Sequence, residues 1–138
     1  MSTNRIRQRN TLQAIERLKL RKQIETLFQT GEAFSVFPLR IIYRLEPAAG
    51  TDASPVRTGF SIPKKRIKKA VGRNRVRRLL KEAWRLQKHP LYDAIPAGHQ
   101  LHCFLVYTGA EKFTFEEATS VVKKAMNKLV TRYAASTS

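Results

Sequence analysis

The chain is 138 residues long and 42% hydrophobic, and it sets 27 Lys and Arg against 10 Asp and Glu, a formal net charge of +17. That length fits one domain with one core, and the apolar share excludes wholesale disorder. The charge calls for a polyanionic partner, nucleic acid before anionic membrane, and the single cysteine, Cys103, excludes an intrachain disulfide and fits a reducing cytoplasm.

Residues 1–19 are basic and weakly patterned; a flexible arm is expected there. They lack the apolar segment of a secretory signal, and no later run approaches the ~20 apolar residues of a membrane span. A single domain is expected over 20–134, with a frayed tail at 135–138. Leu20, Ile24, Leu27 and Phe28 fall on one helical stripe. Gly31 follows at the position where a left-handed residue closes a last turn. Residues 33–45 are rich in strand formers. After Pro38, which marks a bulge, an edge or a break, Leu39, Ile41, Tyr43 and Leu45 share one face and Arg40 and Arg44 the other. A loop over 46–55, a strand over 56–63 and a basic helix over Ala70–Gln87 come next. A loop is expected over 88–100, and then a strand at 101–108, apolar enough to be buried on both faces. Thr114 with Glu117 forms a capping box ahead of a last helix whose stripe is Ala118, Val121, Val122, Ala125, Leu129 and Tyr133. This order predicts an α+β sandwich of helices on one mixed sheet.

The basic helix divides sharply. Leu79, Leu80, Ala83, Trp84, Leu86 and Gln87 occupy one arc around Val76; Arg75, Arg77, Arg78, Lys81, Arg85 and Lys88 occupy the opposite one. Arg77 with Lys81, and Lys81 with Arg85, are like-charged neighbours one turn apart. Each such pair costs a few tenths of a kcal/mol in isolation. A solvated helix face ordinarily interleaves both signs, so a polyanion is expected to supply the missing charge. Lys64, Lys65, Arg66, Lys68 and Lys69 extend the basic run upstream, and the apolar phase breaks near Gly72. Arginine forks match phosphate bidentately, lysines act as point charges, and Asn74 adds an amide that both donates and accepts. An RNA duplex offers shape and backbone rather than legible base edges. Phe28, Phe34, Phe37, Tyr43 and Phe60 are core residues by default. Tyr43, flanked by Arg40 and Arg44, is the one best placed to stack on an unpaired base and to meet Ile24 and Phe28.

Chemistry by the protein itself is not expected. The ten acids are dispersed, and no Ser-His-Asp or Cys-His arrangement or zinc-ligand spacing is present. No small-molecule substrate and no bound metal are implied.

The stretch "AVGRNRVRRLLKEAW", preceded by Ser61 and by Lys64 and Lys65, resembles the signature of the bacterial ribonuclease P protein component. The resemblance rests on Ala70, Arg73, Asn74, Arg75, Arg77 and Arg78, and the element order extends it over about residues 20–133. It implies a fold like the second domain of a small-subunit ribosomal protein, order αβββαβα, with a left-handed crossover around the basic helix. It implies a catalytic RNA partner that removes the 5′ leader of precursor tRNA with Mg²⁺ held mainly by the RNA, in the cytoplasm. Carried onto this chain, the RNA-binding set is Lys64, Lys65, Lys69, Arg73, Asn74, Arg75, Arg77, Arg78, Lys81 and Arg85. The leader cleft would lie between the first helix and the sheet, at Ile24, Phe28, Ile41, Tyr43 and Ser61. The first-helix position that the family often fills with an aromatic is Ile24 here. A ribosomal or RNA-chaperone protein of similar fold is the alternative, and a stand-alone nuclease a third reading.

Overall fold

In the computed structural model the description covers residues 21–48 and 54–136. The expected basic arm at 1–19, most of the loop that follows the second strand, and the last two residues of the tail lie outside it. Helix α1 (Arg21–Thr30) buries Leu27. Gly31 then turns the chain into a strand, but not through a left-handed conformation: among the described residues the one positive φ is at Gly98. Gly31 is needed for closeness instead. A Cβ there would stand 2.5 Å from the Leu27 carbonyl oxygen and 2.9 Å from its Cδ1.

Pro38 proves to be a break. Strands β1 (Glu32–Val36) and β2 (Leu39–Pro47) pair antiparallel across a tight turn at Phe37 and Pro38, which are joined by a cis peptide bond. β3 (Val56–Ser61) follows, then α2 (Ala70–Gln87) at its expected bounds. The phase break at its start resolves simply. The helix is continuous from Ala70; Ile67 is buried in the turn before it, and Val71 is exposed. The segment expected as a loop holds a short helix, α3 (His89–Ala94), with Pro90 in its first turn, where a missing N–H costs nothing. β4 (His99–Tyr107) and α4 (Phe115–Ser136) complete the chain. The capping box is formed: the Glu117 amide donates to Thr114 Oγ1 at 3.1 Å, and the Thr114 amide to Glu117 Oε1 at 3.0 Å.

The sheet runs β1-β2-β4-β3, with β4 antiparallel to β2 and parallel to β3. The crossover between that parallel pair contains α2 and α3. Leu39, Ile41 and Tyr43 of β2 and Leu101, Cys103, Leu105 and Tyr107 of β4 meet Val76, Leu80, Ala83 and Trp84 of α2. The expected stripe of α4 packs on the same face. Trp84, fully buried with Phe60 edge-on at 6.2 Å, is the largest side chain there; its truncation to Ala costs about 3–5 kcal/mol. The opposite face is covered only in part. There Leu27 packs on Ile42 and Phe104, with Ile24 and Val106 alongside. That second layer is why β4 is apolar on both sides.

Candidate nucleic-acid interface

Two surfaces combine, a cationic one on α2 and an open one on the sheet. On α2 the burial of Val76, Leu80, Ala83 and Trp84 turns the opposite arc outward. Asn74, Arg75 and Arg78 are exposed, and Arg73, Arg77, Lys81 and Arg85 half-exposed. Two residues of the expected arcs are exchanged. Lys88 is fully buried, its ammonium 5.5 Å from the centre of the Tyr92 ring, because the chain bends into α3 there. Leu86 is 48% exposed, since none of the described residues packs over that rim of the helix.

Several of these cations also shape the surface that carries them. Arg73 Nη1 donates to the carbonyls of Ile67, at 3.0 Å, and Lys68, at 2.6 Å. With buried Ile67 as anchor, this fixes the turn that exposes Lys64, Lys65, Lys68 and Lys69. Arg75 reaches the loop before α4, donating to the Phe113 carbonyl at 2.5 Å and the Glu111 carbonyl at 3.4 Å. Arg77 donates to Asn74 Oδ1 at 2.7 Å. Arg85 pairs with Glu82 and holds that carboxyl below its ordinary range, chiefly by hydrogen bonding. Gly72 lies where a Cβ would meet Ile67 Cγ2 at 2.7 Å, so turn and helix are closely seated.

The second surface follows from strand register. Three rows cross the face under α1. Arg44, His102 and Arg57 make one, Ala33, Ile42, Phe104 and Gly59 the next, and Ser35, Arg40, Val106 and Ser61 the third. α1 lies over the first two. Arg44 donates to Thr30 Oγ1, and Lys22, Gln23, Thr26 and Leu27 enclose a hollow with Glu46 and His102. Among the described residues the third row stays open, with Arg40 exposed and Ser61 half-buried. Phe28 stands at its rim, 51% exposed, its ring edge-on to Phe104 at 5.4 Å. The result is a groove with an apolar floor, an aromatic wall and a cation.

Of the five residues expected in the cleft, Ile24, Phe28 and Ser61 lie on this face. Ile41 and Tyr43 do not. They are 0% and 6% exposed on the opposite side, within the main core. Strand alternation sends odd-numbered residues of β2 toward α4, and α1 packs on the even-numbered ones. The Tyr43 ring meets Phe34 at 5.7 Å, Tyr133 at 6.4 Å and the Arg132 guanidinium at 5.6 Å, and its burial raises its pKa. The floor residues Ile42, Phe104 and Val106 are absent from the sequence-based set. Their signal was the doubly apolar β4 run, which demands a cover on each side. Arg40, recognised as facing away from Tyr43, is the cation of the groove.

Among the described residues no three His, Cys, Asp or Glu side chains gather as a metal site would require. Cys103 is buried in the core, and burial pushes its thiol well above the ordinary range, which makes it inert.

This α+β arrangement is shared with solved bacterial RNase P proteins. The Staphylococcus aureus protein superposes with a TM-score of 0.64 at 15% identity, over 82% of this chain and 94% of that one. The Thermotoga maritima protein does so with a TM-score of 0.64 at 20% identity, over 82% and 96%. The sequence goes further than the fold: the profile of the Ribonuclease P family matches residues 12–130, and the chain belongs to that family. The ribonuclease P protein component of Porphyromonas gingivalis is 50% identical over 82 residues, which is 58% of this chain but only 57% of that relative's length. That of Chlorobaculum tepidum is 33% identical over 104 residues, 71% of this chain and 68% of its own.

Proposed function

We propose that this chain is the protein subunit of a ribonuclease P ribonucleoprotein. It holds the catalytic RNA through the exposed arc of α2 and the lysine turn before it. It holds the 5′ leader of precursor tRNA in the groove beside α1, on Phe28, Ile24, Arg40, Phe104, Val106 and Ser61. The RNA carries out the Mg²⁺-dependent cleavage and holds the metal; the protein raises affinity for substrate and reduces repulsion between the two RNAs. The particle works in the cytoplasm.

The observation that carries this reading is the pairing of two unlike surfaces on one small sheet. A helix dense in arginine suits a folded, shape-recognised RNA. An open apolar-floored strip with one aromatic and one arginine suits a single strand whose bases are free to stack. A ribosomal or chaperone protein would account for the first surface but not for the groove.

The test is reconstitution. The chain added to a bacterial ribonuclease P RNA at low Mg²⁺ is expected to restore cleavage of precursor tRNA and to favour substrates that carry a leader. Equal affinity of that complex for precursor and mature tRNA would rule out the groove as the leader site. Cleavage by the protein without RNA, abolished by one carboxylate change, would replace the whole reading with a protein nuclease.

A further inference from the structure

We infer that Phe115, outside both the signature helix and the groove, forms a stacking site for an unpaired base of the RNA held by α2. The inference rests on the subunit reading above and extends its RNA surface to a second helix. Phe115 is the first residue of α4 and lies in phase with the buried stripe of Ala118 and Val122. The ring shares a hollow with residues of α2 and stays 40% exposed. Together with Arg78, Leu79, Lys81, Glu82 and Arg85 it lines a shallow hollow of about 450 Å³.

The chemistry of that hollow selects its occupant. Leu79 and the Phe115 ring supply the apolar lining, at the seam where α4 packs on α2. Arg78, Lys81 and Arg85 form a row one turn apart along α2, the arrangement in which successive phosphates are met. The acid of the hollow, Glu82, is paired with Arg85 and so does not repel an incoming anion as a free carboxylate would. A base laid on the ring brings its own phosphate to this row. A base-paired strand cannot do so, because its bases are already stacked within the helix. The ligand is therefore an unpaired, flipped-out nucleotide of a folded RNA. A stretch of bare duplex or an anionic peptide offers charge but no aromatic face.

Stacking and phosphate contacts separate by their salt dependence. Losing a phosphate contact flattens the slope of log K against log salt, whereas losing a stacked base lowers affinity equally at every salt concentration. Binding of the full chain to a transcribed bacterial ribonuclease P RNA is to be measured from low to moderate salt. Phe115→Leu, which keeps the seam apolar, is expected to bind about tenfold more weakly with an unchanged slope, an unchanged melting temperature and an unchanged preference for leader-bearing tRNA. Phe115→Trp is expected to bind as the wild type and to lose emission when RNA is added. An affinity for Phe115→Leu within twofold of wild type, or no quenching in Phe115→Trp, overturns the site. So does a loss accompanied by a flatter slope or a lower melting temperature. If the unaltered chain prefers this RNA no more than heparin, it is the subunit reading that falls, and this inference with it.

Discussion

At the scale of single residues, two aromatics on neighbouring elements play opposite parts. Phe28 is half in solvent against Phe104, whereas Tyr43 is locked among Phe34, Tyr133 and Arg132. Phe28→Ala is expected to cost less than about 1.5 kcal/mol of stability and to reduce discrimination between precursor and mature tRNA. Tyr43→Ala leaves a core cavity, and about 3–5 kcal/mol is expected to be lost, by analogy with other aromatic truncations. Urea unfolding beside leader-dependent binding distinguishes the two. His102 gives a third prediction. Its Nε2 bonds Gln100 Oε1 at 2.9 Å, while Gln100 Nε2 donates to the Ser54 carbonyl at 2.8 Å, so the imidazole is the donor to Gln100 and carries its proton on Nε2. Burial lowers its pKa; the Glu46 carboxylate opposes that shift and Arg57 adds to it. A histidine whose folded value lies below its unfolded one resists protonation in the native state, so the unfolded chain binds more protons as pH falls. Stability is expected to be full above the ordinary histidine value of about 6.5 and to decline below it. Unfolding free energies at neutral pH and near pH 5 check this, and His102→Gln is expected to reduce the decline.

At the scale of elements, α2 is both a surface and a brace. Arg73 and Arg75 spend N–H groups on the carbonyls of the flanking turns. Hydrogen bonds to a charged donor are worth about 1.5–3 kcal/mol. Arg73→Ala is expected to speed amide exchange through residues 64–69, and Arg75→Ala through 109–114, in the free protein; unchanged exchange would show that these arginines do not brace the turns. The sequence made α2 legible because a 3.6-residue apolar period and a charge segregation coincide in it. It did not show the braces, since a guanidinium reaching a backbone carbonyl has no pattern in the side-chain string. α3 was missed because six residues carry too little periodicity and Pro90 mimics a loop. In β2 the alternation correctly separated Tyr43 from Arg40, yet alternation names two faces without saying which one a distant helix covers. Ile41 and Tyr43 therefore fall on the face under α4, and Arg40 and Ile42 on the face under α1. Phe104 was hidden for the converse reason: a strand buried on both sides has no period to read.

At the scale of the whole molecule, the charge of +17 sets how steeply the proposed contact with RNA depends on salt. Each phosphate neutralised contributes about −0.7 to −0.9 to the slope of log K against log salt. If about six cations of α2 and the lysine turn are engaged, a slope near −4 to −5 is expected. The double change Lys65→Gln with Arg78→Gln is expected to reduce its magnitude by about 1.5. Filter binding across a salt series measures both, and an unaltered slope would move those two side chains off the interface.

The sheet order has an outcome for synthesis. β2 and β3 are not neighbours in the sheet; the β1-β2 hairpin and β3 are joined only through β4, residues 99–107, which leaves the ribosome after both of them and after α2. A nascent chain that stops short of His99 therefore holds two unjoined halves, a hairpin on one side and a lone strand with an amphipathic helix on the other. Its Ile41, Leu80 and Trp84 lack the β4 and α4 side chains that complete their packing. Domains of this kind close as a unit and are sticky until they do. A polypeptide ending at residue 98 is expected to be protease-sensitive throughout, and one reaching the end of α4 to become resistant in a single step.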